Sequence, residues 1–195
     1  EIYKAVKRHN MLDQVLVKSP PTEKVISVLE QIGPDVPYMP VIYEGKEFPH
    51  KDLMQRKINY IGVEVVYPNE DSIFATPEFI DSMHRDNKLV WVNSIIYNTK
   101  KQLSGGHSDD AAFTESMEYG WGWLADKGYD LIQTDWPSML IEFLKKILAN
   151  VFAITQEIPE FLIAMGACSL EEPQPKFQPA TMIWFVLTLS LNERS

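Results

Sequence analysis

The sequence has little cysteine and little basic charge, and each shortage excludes a class of protein. Cys168 is the single cysteine, which excludes an internal disulfide and a zinc site built on several cysteines. The formal net charge is −9, so we expect no nucleic-acid partner, because phosphate backbones are bound by clustered cations. The longest apolar run, residues 180–191, is shorter than the ~20 residues that span a bilayer, and no transmembrane segment is predicted.

Two glycine-rich loops that commonly hold phosphates are missing as well. No GxGxxG follows a predicted strand, and no GxxxxGK[ST] occurs. A dinucleotide-binding or P-loop fold therefore loses its main support.

What the sequence does contain is an alternation of strand and helix patterns. Short apolar runs rich in β-branched residues predict five buried strands, at 14–20, 36–43, 60–68, 89–95 and 130–137. Helical patterns lie at 22–33, 50–57, 76–86, 113–128 and 137–150. This order favours an α/β fold with a parallel sheet covered by helices, and the spacing of the strands suits the repeats of a barrel.

The alternation stops after Asn150, which divides the chain into residues 1–150 and a tail at 151–195. The tail has several prolines and ends in an apolar run for which no partner element is predicted. The chain also begins at Glu1 within an amphipathic pattern. Because five strands cannot close an eight-stranded barrel, we expect a fragment, about five βα units from the C-terminal portion of a (β/α)8 barrel.

In such a barrel the active site lies at the C-terminal ends of the strands. The residues at or just after the predicted strand ends are Lys18, Ser19, Tyr43, Glu44, Glu64, Tyr67, Asn93, Tyr97, Asn98, Asp135 and Trp136. Lys18 ends the first strand and either meets an anion such as phosphate or extends into solvent. Glu64 lies inside a buried run, where a carboxylate needs a partner, a metal or a position in the barrel interior. Asn93 ends an apolar strand, and Asp135 either serves a ligand or caps the helix that begins at Trp136 and Pro137.

The stretch GHSDDAAF, residues 106–113, has the composition of a metal site. His107, Asp109 and Asp110 combine an imidazole with carboxylates, which suits several divalent ions. The same stretch is also typical of a glycine turn followed by a helix N-cap at Ser108, Asp109 or Asp110, and capping is the favoured interpretation.

Two tryptophans and three histidines are not expected to take part in ligand binding. Trp121 and Trp123 are expected to pack a helix against the sheet rather than to bind substrate. The remaining histidines, His9, His50 and His84, have no partner in register and are predicted to lie on the surface.

Residues 1–147 resemble the closing part of a glycerophosphodiester phosphodiesterase. The resemblance is carried by VWVNSI at 90–95, by GGHSDDAAF at 105–113 and above all by GYDLIQTDWP at 128–137. It implies a metal-assisted (β/α) barrel that hydrolyses a small glycerophosphodiester to glycerol 3-phosphate and an alcohol, with Mg²⁺ or Ca²⁺ in the intact enzyme and histidines as general acid and base.

The family's catalytic motifs are not found in this chain. There is no His-Arg-Gly, and no predicted strand ends in Glu-x-Asp or Glu-x-Lys. We therefore expect no catalytic residue and no metal ligand here, and no activity from the chain alone. The resemblance leaves it supporting residues: Lys18 near the phosphate, Glu64 on the rim, Trp91 and Asn93 near the glycerol, and Asp135 with Trp136 closing the last strand.

Two other functions fit the same features. One is a non-catalytic α/β module whose strand ends bind a polar ligand without turnover. The other is a different barrel hydrolase of the phospholipase type, which would differ from the first family mainly in catalytic motifs that this sequence does not contain.

Overall fold

The structure, a computed structural model, describes residues 2–96, 101–155, 163–166 and 185–188. In these residues helices and parallel strands alternate, which confirms the α/β class. They separate into two compact units. The first unit contains the described residues up to Glu64 together with the strand at 185–188, and the second runs from Val65 to the strand at 163–166.

In the first unit, strand β1 pairs with strands on both of its sides. It is parallel to β2, with Ser19 opposite Pro40, and parallel to β8, with Lys18 opposite Thr188. Its strands are β1 (Val15–Ser19), β2 (Pro37–Tyr43), β3 (Asn59–Tyr60), the start of β4 (Gly62–Val66) and β8 (Phe185–Thr188). Its helices are α1 (Ile2–Arg8), α2 (Glu23–Ile32) and α3 (His50–Leu53), with a 3-10 turn at Leu12–Gln14.

In the second unit, β6 pairs in parallel with β5 and with β7. Besides the end of β4, its strands are β5 (Leu89–Asn93), β6 (Leu131–Thr134) and β7 (Ile163–Gly166). Its helices are α4 (Pro77–Arg85), α5 (Asp109–Thr114), α6 (Trp123–Asp126) and α7 (Pro137–Thr155). A 3-10 turn lies at Ile73–Ala75 and a π-helical turn at Glu118–Gly122.

Local sequence explains where the helices begin and end. Thr22 caps α2 by accepting a hydrogen bond from Val25 N, and the helix stops at Gly33, whose N–H bonds Leu29 O. The face that α2 buries carries Val25, Ile26 and Leu29. Thr76 caps α4 in the same way, and Pro77 occupies its first turn, where a missing N–H costs nothing.

Each unit has an apolar core built on its strands. In the first unit the fully buried side chains include Leu16, Tyr38, Met39, Ile42 and Leu53. In the second they include Tyr67, Trp91, Trp121, Ile132 and Leu140. Strands buried on both faces explain why the sequence shows continuous apolar runs rather than alternating ones.

The structure corrects the predicted elements at several points. The helix predicted at 50–57 ends at Leu53, and the tail contains strand β7 at Ile163–Gly166. The helical pattern at 113–128 is not one helix, because α5 ends at Thr114 and a π-helical turn precedes α6. The apolar run at 180–191 does have a partner, since its residues 185–188 form β8 against β1. Most of the predicted tail at 151–195 lies outside the described residues, and the predicted boundary at residue 150 stays a prediction.

None of the described helices is long and apolar enough to cross a membrane.

Candidate functional sites at the strand ends

Lys18 and Glu64 form a buried ion pair in the first unit. Lys18 Nζ lies 2.6 Å from Glu64 Oε2, and the two residues are only 4% and 5% exposed. Lys18 precedes the last residue of β1, and Glu64 is the central residue of β4. The carboxylate therefore has the partner that its apolar surroundings require, and Lys18 does not extend into solvent.

Burial sets the acid–base properties of Lys18. Desolvation lowers the pKa of its ammonium below the usual lysine value, while the Glu64 carboxylate opposes that change by attraction and hydrogen bonding. The pair fixes a buried ammonium, neutralised by a carboxylate, near the end of β1, and strand ends are where α/β proteins bind ligands.

In the second unit, Trp91 and Asn93 are core residues as well as strand-end residues. Both lie on β5 and are 1% exposed. Like Lys18 and Glu64 in the first unit, they are buried below the outer surface, so a role of any of these residues in ligand binding requires a ligand that reaches the interior of its unit.

Asp109 is the centre of a hydrogen-bond cluster. Its Oδ1 accepts hydrogen bonds from Ser94 Oγ at 2.7 Å, Trp121 Nε1 at 2.8 Å and Thr134 Oγ1 at 2.7 Å. Its Oδ2 accepts one from Asp135 N at 2.8 Å, and its own N–H donates to Ser94 O. The buried carboxylate thus joins the start of α5 to the ends of β5 and β6 and to the π-helical turn.

The capping interpretation of the stretch is confirmed, and Ser108 is the residue that caps. Ser108 Oγ accepts a hydrogen bond from Ala111 N at the start of α5. Asp110 is exposed on the first turn of α5, where its negative charge interacts favourably with the positive N-terminal end of the helix dipole. Gly105 and Gly106 have φ of 67° and 99°, so the preceding turn requires glycine.

His107 is buried between an aromatic ring and two oxygen atoms. Its ring stacks on Trp123 with centroids 3.8 Å apart and an interplanar angle of 7°. Nδ1 donates to Tyr119 O at 2.6 Å, and Nε2 lies 3.1 Å from Glu70 Oε1. The residue therefore anchors the turn at 104–107 to the π-helical turn.

Asp135 and Trp136 are the exposed members of the predicted set. Burial and the nearby Asp109 charge raise the pKa of the Asp135 carboxyl. Asp135 donates its backbone N–H to the Asp109 carboxylate, and its side chain does not cap α7. Just before α7, Thr134 Oγ1 accepts a hydrogen bond from Trp136 N. Trp136 is 50% exposed and packs edge-to-face on Phe113, with centroids 5.1 Å apart.

These residues do not fit a metal ion. Asp109 already accepts four hydrogen bonds, and both ring nitrogens of His107 face oxygen atoms. Within the described ranges no group of three or more His, Cys, Asp or Glu side chains is placed to hold a metal.

Sequence reasoning missed three sets of contacts. The donors of Asp109 come from three segments, at Ser94, at Trp121 and at 134–135, and the sequence alone did not show that these segments meet. His50 and His84 were wrongly expected to lack partners: His50 Nδ1 lies 3.0 Å from Tyr60 OH, and His84 Nε2 lies 2.9 Å from Asp130 Oδ2.

Fold and site together define an α/β protein with parallel strands, a buried Lys–Glu pair at one strand end and a carboxylate-centred hydrogen-bond cluster. A family model matches residues 38–144, that of DUF4996, a domain of unknown function. The match covers more than half of the chain, which therefore belongs to that family. It includes Glu64, Asp109 and Asp135 but not Lys18. A search of curated proteins finds no match.

Proposed function

We propose that this chain is the substrate-binding part of a phosphoric diester hydrolase of the glycerophosphodiester phosphodiesterase type, with its strands a portion of a (β/α)8 barrel. The reaction hydrolyses a glycerophosphodiester to glycerol 3-phosphate and an alcohol. The observation that carries the proposal is the buried Lys18 ammonium, 2.6 Å from Glu64 at the end of β1.

A stability argument supports a binding role for this pair. Replacing a buried ion pair by apolar residues of similar volume is often neutral or stabilising, so such a pair is weak support for a structural role. A phosphate group gains more from a desolvated cation than from a hydrated surface lysine, because attraction is stronger at low dielectric. The Glu64 carboxylate fixes the position of the Lys18 ammonium.

The resemblance in the second unit supports the same reaction class. The resemblance is carried by the stretches GGHSDDAAF and IQTDWP, which contain Asp109 and Asp135 respectively. A hydrogen bond from Asp135 N to the Asp109 carboxylate joins the two stretches. In this proposal Asp109 is a positioning residue that holds the end of β6, and Asp135 and Trp136 present their side chains to the ligand.

Calorimetric titration with sn-glycerol 3-phosphate tests the proposal. We expect saturable binding to the chain and its loss in the double variant Lys18→Met with Glu64→Leu, which removes the pair without stranding a buried charge. Lys24→Met, an exposed lysine of α2, is the matched control and should bind like the unmodified chain. Unchanged binding by the double variant would refute the role of Lys18.

Turnover is a separate measurement. With Mg²⁺ or Ca²⁺ added, we expect no release of glycerol 3-phosphate from a glycerophosphodiester, because the sequence has no His-Arg-Gly. Measurable turnover by the purified chain would contradict this part of the proposal.

One observation favours a second candidate, the non-catalytic binding module. The buried carboxylates of Glu64 and Asp109 are both engaged, one in an ion pair and the other in four hydrogen bonds. Neither is poised to take a proton from water. Binding of glycerol 3-phosphate by the chain, with no turnover even when the chain is part of a longer polypeptide, would favour that candidate.

A further inference from the structure

A cavity of about 530 Å³ opens in the first unit at the ends of β1 and β2. Its walls come from the loop after β1, the start of α2, the end of β2 with its following loop, and α3. The volume lies within the roughly 300–1,000 Å³ of small-molecule sites. The cavity also lies at the carboxyl ends of parallel strands, where open α/β sheets bind ligands.

The walls are largely apolar and stiff. The lining includes three prolines and three buried aliphatic side chains: Pro20, Pro21, Pro49, Ile26, Ile42 and Leu53. The aliphatic residues are at most 2% exposed, so the core holds them in place. Proline has a fixed φ, which limits the rearrangement that a ligand must induce.

The charged residues of the cavity are mostly acidic. Glu23, Glu47 and Asp52 face one lysine, Lys46. Arg56 Nη2 lies 2.8 Å from Glu23 Oε1, and Arg56 Nη1 lies 3.8 Å from Asp52 Oδ2. This guanidinium therefore partly neutralises two of the three carboxylates.

Glu47 is the carboxylate left for a ligand. Within the described part of the chain its side chain makes neither a hydrogen bond nor an ion pair, and it is exposed at the cavity. Counting Lys46 and Arg56 against the three acids leaves an excess of at least one negative charge, because Arg56 is also shared with Glu30 at 3.0 Å. Charge complementarity thus favours a positively charged ligand over an anionic one.

We propose that this cavity binds a small organic cation. Its apolar body lies on the prolines and aliphatic side chains, and its ammonium group is held by Glu47. Neither Lys18 nor Glu64 lines the cavity, so this site stands independently of the proposed hydrolase function.

The test compares three probes of similar shape on the full chain: benzylammonium, benzyl alcohol and phenylacetate. Titrations followed by NMR should show benzylammonium binding about threefold more tightly than the neutral alcohol, the size expected of a solvent-accessible ion pair. The preference should shrink as ionic strength rises. Absence of saturable binding, equal affinities, or tighter binding of phenylacetate would overturn the proposal.

Two variants assign the preference to one carboxylate. Glu47→Gln should remove the preference for benzylammonium and leave the affinity for benzyl alcohol unchanged. Glu44→Gln is the matched control, because Glu44 belongs to the same loop but does not line the cavity. If Glu44→Gln lowers the affinity for benzylammonium as much as Glu47→Gln does, a diffuse surface charge explains the binding and the proposed site is wrong.

Discussion

Asp109 shows how a single carboxylate can organise a whole unit. An aspartate presents acceptors only, and the four donors around Asp109 need acceptors. In Asp109→Asn the amide NH₂ must face at least one of those donors. We expect a loss of about 2–3 kcal/mol in the free energy of unfolding, the cost of stranding buried hydrogen-bonding groups.

A urea titration of each variant measures this loss through the midpoint at unchanged m. Asp110→Asn, on the exposed side of the same helix turn, is the control and should change stability by less than about 1 kcal/mol. Equal losses in the two variants would mean that Asp109 acts only through the helix dipole.

The Lys18–Glu64 pair predicts strong coupling between two substitutions. Lys18→Met alone leaves the Glu64 carboxylate buried without its cation and should cost about 3–5 kcal/mol. The double variant Lys18→Met with Glu64→Leu should recover most of that loss. Chemical denaturation of the single and double variants gives the coupling energy, and additive losses would show that the two charges do not depend on each other.

Because of the buried Tyr38 phenol, we expect the free energy of unfolding to fall as the pH becomes alkaline. Burial raises the pKa of its phenol to about 12, so the folded chain keeps a proton that the unfolded chain releases near pH 10. The stabilisation is full below pH ~10 and is lost as the pH rises through about 12. A shift of two units corresponds to about 2–3 kcal/mol.

Thermal unfolding between pH 8 and 12 checks this dependence. Tyr38→Phe should make the decline in stability above pH ~10 less steep, whereas the matched change at the 41% exposed Tyr43 should have much less effect. A parallel decline in the unmodified chain and Tyr38→Phe would contradict the assignment.

At the scale of elements, the π-helical turn is formed by its packing against α5, although the sequence pattern of residues 113–128 predicts a single helix. A Cβ on Gly120 would lie 2.6 Å from Ala112 N and 2.7 Å from Ala112 Cα, so α5 and the turn touch backbone to backbone. The turn also brings Trp121 to Asp109. The periodicity of residues 113–128 indicates one helix because it carries no information about this tertiary contact.

Alanine at two neighbouring glycines tests the close approach. Gly120→Ala should lower the free energy of unfolding by about 1–3 kcal/mol, because the contacted atoms are backbone and cannot rotate away. Gly122→Ala places its Cβ 3.5 Å from Phe143 Cζ, an ordinary contact, and should change stability much less. Similar effects on the denaturation midpoint would argue against the contact between α5 and the turn.

At the scale of the whole molecule, the strands were the most predictable feature. All five predicted runs contain a strand, from β1 at Val15–Ser19 to β6 at Leu131–Thr134, because strands buried on both faces must be apolar throughout. Strands β7 and β8 were missed, since an isolated apolar run does not reveal the strand it pairs with.

The candidate sites were less predictable, because their meaning depends on contacts between distant residues. Sequence alone indicated that Glu64 needs a partner, but 46 positions separate it from Lys18, and only the fold brings them to 2.6 Å. The composition of His107 and Asp109 suggests metal binding, whereas their neighbours make them structural. Residue type restricts the chemistry that is available, and geometry selects among the options.

The most direct test of a phosphate-binding role for Lys18 is the NMR signal of its ammonium group during titration with sn-glycerol 3-phosphate. We predict that the Lys18 Nζ resonance shifts with a saturable dependence on ligand, while that of exposed Lys24 does not follow it. Titration with glycerol should leave both signals in place. A Lys18 resonance that stays fixed while the chain binds glycerol 3-phosphate would contradict the central claim.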